Sequence, residues 1–251
     1  MASELDNIEV RPARRRFIQG AAALAATMIA PGILLYRTGE AATSTSSTPR
    51  WGLLIDTNAL SEADVDACVQ ACQRENGWGH EADSPTDAQW IRKVNLSDEQ
   101  GGAQKVLPMM CQHCADPPCV YVCPTGASFR RADGIVLVNK HTCIGCRYCM
   151  MACPYKARSF IHEVLRDQLP VAPRGKGTVE SCTLCVHRID RDGADAVPAC
   201  AEAVNHGTHR AILFGDLNDP GSEISQRLQR LGATRLRADL GVGPGVSYQG
   251  L

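Results

Sequence analysis

The chain has 251 residues and a formal net charge of −1, long enough for one or two compact domains and too nearly neutral for a strongly basic nucleic-acid binder. Hydrophobic residues make up 44% and charged residues 21%, which excludes an intrinsically disordered chain. Aromatic residues are only 5%, whereas cysteine occurs thirteen times, always between Cys68 and Cys200. Something bound by sulfur is expected to fill the middle of the protein.

In chain order, residues 11–19 read RPARRRFIQ and residues 20–36 are uncharged and alanine-rich. An amphipathic helix would keep one polar face, and this run has none. With Arg14 and Arg15 as the pair, the segment resembles a twin-arginine export signal. It is expected over residues 1–42, and a periplasmic, membrane-associated location follows from it. Glu40 stands where a cleavage site needs a small residue, so a cleaved signal and a retained anchor both stay open. Residues 43–50 form a small, polar linker. A globular domain is expected over 51–221, and a C-terminal helix with an extended tail over 222–251.

Within that domain, residues 51–56 and 89–96 have strand character. Residues 128–131 and 135–139 flank Asp133 and Gly134, a hairpin signal. Residues 159–164 read as a further strand. Short helices are expected after Cys72, Cys123, Cys153 and Cys200, with Pro124 and Pro154 in first helical turns. Ile224, Leu228 and Leu231 recur at helical spacing after Ser222, which predicts a helix that packs on the core. Residues 241–251 lack periodicity and are expected to lie extended over the surface or a partner.

The cysteine spacing separates three chemistries. One run is Cys111-x2-Cys114-x4-Cys119-x3-Cys123-Pro124, and another is Cys143-x2-Cys146-x2-Cys149-x3-Cys153-Pro154. The second matches the bacterial iron–sulfur run C-x2-C-x2-C-x3-C-P at every position, a run whose fourth cysteine ligates a neighbouring cluster. Zinc prefers C-x2-C hooks brought together from separate segments, and an exported chain rich in cysteine could also be a disulfide framework. Two four-cysteine runs ending in x3 and proline favour iron–sulfur over both.

The segments LPMMCQHCADPPCVYVCPTGA (107–127), HTCIGCRYCMMACPYKAR (141–158), ESCTLCVHRI (180–189) and FGDLNDP (214–220) carry a wider resemblance. They are similar to the four-cluster electron-transfer subunits of dimethyl sulfoxide and polysulfide reductases, over roughly residues 51–250. The resemblance implies an α+β fold of tandem two-cluster ferredoxin-like modules with short hairpins and helices. It also implies four cysteine groups, in which the second and third exchange their fourth cysteines, as do the first and fourth.

Carried over residue by residue, that rule implies one ligand set of Cys111, Cys114, Cys119 and Cys153, and another of Cys143, Cys146, Cys149 and Cys123. A third set is Cys182, Cys185, Cys200 and Cys72. Each is expected to hold one [4Fe–4S] cluster, three in all. The fourth site keeps only Cys68; its other positions fall at Glu62, Val65 and Val204, and valine cannot ligate a metal. A Glu62 carboxylate would be a hard ligand for a soft cluster. Cys68 is therefore expected to be a buried apolar residue.

Arg147, Lys156, Arg158 and His113 lie in or beside the runs and could tune cluster potentials. Surface charge being common, an ordinary solvated side chain is the expectation for each, and a structural role is the expectation for His187. No nucleophile elbow, phosphate loop or metallohydrolase motif appears, so the chain is expected to carry electrons without a substrate site of its own. The likeness extends to the periplasmic iron–sulfur subunits of sulfite-reductase-associated Dsr membrane complexes. It implies a multi-spanning quinone-interacting membrane subunit, a multihaem cytochrome c and further subunits as partners, and no nucleic acid. The alternatives are a subunit of a molybdopterin oxidoreductase or of a nitrite- or polysulfide-reducing complex, and, in another class, a structural or redox-sensing metal protein.

Overall fold

The computed structural model describes residues 48–79, 86–97, 104–166 and 168–251. The expected signal over 1–42 and most of the linker lie outside the described residues. Among the described residues, no helix is long and apolar enough to cross a membrane.

A three-stranded sheet anchors the domain. Strand β1 (Trp51–Asp56) lies between two strands from the far end of the chain and pairs with both. Its antiparallel partner, which comes late in the sequence, aligns Leu53 with Phe214 and Ile55 with Ile212; its parallel partner aligns Leu53 with Val246 and Ile55 with Tyr248. Side chains alternate across a strand: Leu53 and Ile55 enter the main core, while Leu54 joins Leu213 and Ile224 on the other face. Each fully buried aliphatic side chain of this kind contributes roughly 2 kcal/mol.

Helix α1 (Glu62–Asn76) starts at Ser61, whose hydroxyl accepts from the Asp64 amide while the Asp64 carboxylate accepts from the Ser61 amide. This reciprocal cap satisfies two free N–H groups. Gly77 ends the helix at φ 64°, a left-handed conformation that glycine adopts without steric cost. Next come the antiparallel pair β2 (Ile91–Ser97) and β3 (Gln104–Met110) and the short helix α2 (Pro118–Tyr121). The expected hairpin forms as β4 (Ser128–Arg130) and β5 (Val136–Val138). Helix α3 (Tyr148–Ala152) precedes the short pair β6 (Ser159–Phe160) and β7 (Val179–Glu180). Helices α4 (Val186–Asp192) and α5 (Ala199–Val204) lead to β8 (Ile212–Asp216), α6 (Glu223–Arg230) and β9 (Val246–Gln249).

Helix α6 begins at Ser222 and buries Ile224, so it packs on the core as its spacing predicts. Other expectations change. The strand expected over 159–164 is only two residues long, and β3, β8 and β9 carry no alternation that announces them. The tail is not a loose surface strap: Val246, Ser247 and Tyr248 are buried. Just before them, the amides of Ala115 and Asp116 donate to the carbonyls of Gly243 and Val242.

The helices expected after Cys72, Cys123, Cys153 and Cys200 are also displaced. Cys72 and Cys200 lie inside α1 and α5, while Cys123 and Cys153 follow α2 and α3. After each of the latter pair only a few residues separate the cysteine from β4 or β6. Gly126 and Lys156 take positive φ there, so the chain reverses in a turn too short for a helix.

Candidate metal centres

Three cysteine loops share one backbone device. Two residues after Cys111 stands His113 at φ 43°, two after Cys143 stands Gly145 at φ 69°, and two after Cys182 stands Leu184 at φ 57°. Each left-handed residue immediately precedes the next cysteine of its C-x2-C step. This region costs an L-residue about 1–2 kcal/mol, and such strain persists where a site requires it. At Gly145 a Cβ would come 2.1 Å from the carbonyl oxygen of Gly177, so this loop accepts no side chain.

The thiols gather in three neighbourhoods. Cys111, Cys114, Cys119 and Cys153 are buried, and Cys119 and Cys153 raise the pKa of both Cys111 and Cys114. Cys123, Cys143, Cys146 and Cys149 line one small pocket. Of these Cys146 is exposed, Cys123 and Cys143 are half-buried, and Cys149 is buried. Cys72, Cys182, Cys185 and Cys200 form the third neighbourhood, with Cys68 beside them: after burial, Cys68, Cys185, Cys182 and Cys72 all raise the Cys200 thiol. All thirteen cysteines are free of disulfides.

Amide donors point at many of these sulfurs. The amide of Ala157 donates to Cys153 at 3.5 Å, Ser128 to Cys123 at 3.3 Å, and Val179 to Cys143 at 3.5 Å. In the third neighbourhood Leu184 donates to Cys182 and Ala199 to Cys185, both at 3.4 Å. Two side chains add to this: Trp78 Nε1 donates to Cys72 Sγ at 3.2 Å and Asn76 Nδ2 at 3.5 Å. Cysteine spacing singles out neither Asn76 nor Trp78. The signal available was their position within six residues of Cys72.

Burial pushes the thiols of Cys72, Cys111 and Cys114 up to about 12. Buried sulfur ligands surrounded by N–H donors ionise only when a cationic group binds them, as metal binding does by displacing thiol protons. Among the described residues no three His, Cys, Asp or Glu side chains come together closely enough for a single metal ion. Each neighbourhood offers four thiols and no harder ligand, with amide N–H groups aimed at the sulfurs, and this donor set fits a [4Fe–4S] cluster.

Two expectations about nearby charge are corrected. Arg158 and His113 are not solvated side chains; they are 5% and 1% exposed. The Arg158 guanidinium donates from Nη2 to Cys119 Sγ at 3.1 Å. His113 accepts from the Val136 amide through Nδ1, and burial, followed by the charge of Arg158, holds its imidazole down at about 3. Lys156 and Arg147 are exposed as expected, and Arg147 lies over the Phe160 ring at 5.0 Å. His187 is structural: Nε2 contacts Glu75 Oε1 at 2.6 Å, where Arg188 also binds.

The positions matching a fourth site look different. Ser61 caps α1 there, and residues 62–76 run as one regular helix where a C-x2-C-x2-C loop would need reversals. Glu62 is exposed and pairs with Lys93 at 3.1 Å. Val65 and Val204 are fully buried, Val204 in the main core. Cys68 is fully buried too, its S–H directed to the Cys200 carbonyl at 3.4 Å, with burial holding its thiol up at about 12.

Comparison with known proteins agrees with the chemistry of these loops. Residues 103–216 match the 4Fe-4S dicluster domain family. The chain is 45% identical over 192 residues to the Hdr-like menaquinol oxidoreductase iron-sulfur subunit 1 of Archaeoglobus fulgidus, covering 72% of this chain and 71% of that protein. It is 36% identical over 232 residues to protein NrfC of Escherichia coli, covering 92% of each. It is 33% identical over 232 residues to the menaquinone reductase iron-sulfur cluster-binding subunit of Nitratidesulfovibrio vulgaris, covering 79% of this chain and 88% of that protein. With this identity spread across most of its length, and its cysteines arranged in strained, N–H-lined loops, the chain belongs to the family of iron–sulfur electron-transfer subunits.

Proposed function

We propose that the chain relays single electrons through three [4Fe–4S] clusters, one for each cysteine neighbourhood. Cys111, Cys114, Cys119 and Cys153 hold the first, Cys143, Cys146, Cys149 and Cys123 the second, and Cys182, Cys185, Cys200 and Cys72 the third. The observation that carries this reading is the threefold recurrence of a left-handed residue before the second cysteine of a C-x2-C step, while the region matching a fourth loop is a capped helix. When bound, each cluster supplies one-electron exchange, and its potential is set by charge, hydrogen bonds to sulfur and exposure. The protein fixes the sulfurs, excludes water from two of the three neighbourhoods and points N–H donors at the ligands. Anaerobic purification with iron and sulfide analysis tests this: about twelve irons per chain, bleaching reversibly on reduction, is the expected result. Bound zinc with no visible absorption would establish the structural-metal alternative instead.

The complex we propose is membrane-associated, periplasmic and linked to the quinone pool and to sulfur and sulfite metabolism, with this chain as the iron–sulfur subunit of a sulfite-reductase-associated Dsr complex. A multi-spanning quinone-interacting subunit, a multihaem cytochrome c and further subunits are its partners. The relatives named for menaquinol oxidation and menaquinone reduction support the quinone link, and the arginine pair supports export. A second reading, a subunit of a nitrite- or polysulfide-reducing or molybdopterin complex, draws on the end-to-end similarity to NrfC. Isolation of the native complex separates them: haem and a multi-spanning partner favour the first, molybdopterin without haem the second. Arg14→Lys with Arg15→Lys is expected to leave the loaded protein on the cytoplasmic side in cell fractionation.

A further inference from the structure

Arg158 is the one guanidinium sunk among the cysteine loops, and its surroundings are unusual for a buried arginine. No carboxylate among the described residues pairs with it. Its Nη2 donates to Cys119 Sγ at 3.1 Å, and its charge acts on the thiols of Cys111 and Cys149. Nε and Nη1 have no partner among the described residues. Burying an arginine with two idle donors and no counter-charge is costly, so negative charge must be supplied by what the sulfurs hold.

Cys119 and Cys149 belong to different neighbourhoods. A planar fork of donors can serve two acceptors on opposite sides, which an ammonium cannot do with the same geometry. We propose that Arg158 is a bridging cation between the first and second clusters, anchored by its hydrogen bond to Cys119 of one set and serving the set of Cys149 with the donors left over. This rests on the electron-relay reading. A cluster with thiolate ligands is anionic, and more so once reduced, so a fixed cation next to both sets favours their reduced forms and raises both potentials. The third set, around Cys72, draws no hydrogen bond from this guanidinium.

The test is an anaerobic redox titration of the purified holoprotein followed by electron paramagnetic resonance, after iron analysis of each variant. Arg158→Met removes the charge while keeping an extended side chain. Two of the three midpoints are expected to fall, each by at least a tenfold change in the oxidised-to-reduced ratio, or about 59 mV for a one-electron couple, with the third unmoved. Arg158→Lys retains the charge but reaches one sulfur only, so it should lower one of those two midpoints more than the other. This second variant decides the matter where the methionine protein fails to load iron. Full iron content with all midpoints unmoved in the methionine variant overturns the proposal, as does an equal fall in all three. A lysine protein indistinguishable from wild type overturns the bridging geometry. A wild-type protein lacking clusters in the first two sets would sink the relay reading itself, and iron analysis reveals that before any variant is compared.

Discussion

The indole of Trp78 donates from Nε1 to the sulfur of Cys72 at 3.2 Å, across the turn that closes α1 at Gly77. Trp78 is 1% exposed, so this N–H has no water to compete for it. A donor to a ligand sulfur stabilises the more negative, reduced state of the bound group. Trp78→Phe keeps the buried ring and removes the donor. It is expected to lower one cluster midpoint by the equivalent of about 1 kcal/mol, or roughly 40 mV for one electron. The other two midpoints should hold, as read by potentiometric titration.

Cys68 and Cys72 are one helical turn apart and are expected to respond oppositely. Cys68→Ala removes a buried sulfur that touches only protein, at a cost of about 1 kcal/mol in stability and with unchanged iron content. Cys72→Ala should cost about four irons per chain by removing a ligand of the third cluster. Equal iron loss from both variants would show that Cys68 is a ligand and would refute the three-cluster count.

Gly145 carries φ 69°, and an added Cβ would meet backbone at 2.1 Å. Neither defect can relax through a flexible side chain, since the obstacle is the Gly177 carbonyl. Gly145→Ala is expected to destabilise the protein by more than about 2 kcal/mol and to lower iron occupancy. Gly79→Ala, with open space around the new methyl, is the control and should behave as wild type. Thermal unfolding under argon, paired with iron analysis, distinguishes them.

The Glu75 carboxyl is held down to about 2, first by hydrogen bonds from Arg188 and then by those from His187. Its pKa in the unfolded chain is higher, so the pair contributes stability above the ordinary carboxylate range and loses it as pH falls from about 4.5 towards 2. Glu75→Gln should therefore lower the unfolding temperature at pH 7, and the difference from wild type should narrow on acidification through that window. A constant difference across the titration would show that the loss is one of packing alone.

Spacing made the sulfur chemistry readable, because ligand intervals are written directly into the chain. The same is true of α6, where Ile224, Leu228 and Leu231 keep helical spacing. Burial was harder to read. Arg158 follows Cys153 by five residues, and nothing local distinguishes an arginine that folds inward onto Cys119 from one that reaches solvent; the difference lies in α2, thirty-odd residues earlier. β9 escaped for a related reason: its glycine-rich flank hides a strand whose buried character comes from pairing with β1. The helices expected after Cys123 and Cys153 fail because Gly126 and Lys156 turn the chain at positive φ towards β4 and β6.

The order of strands in the central sheet has a consequence for biosynthesis. β1 is flanked by β8 and β9, so the first strand of the domain waits for partners that follow it by well over a hundred residues. The sheet therefore closes only after every cysteine of the three neighbourhoods, Cys200 included, has been synthesised.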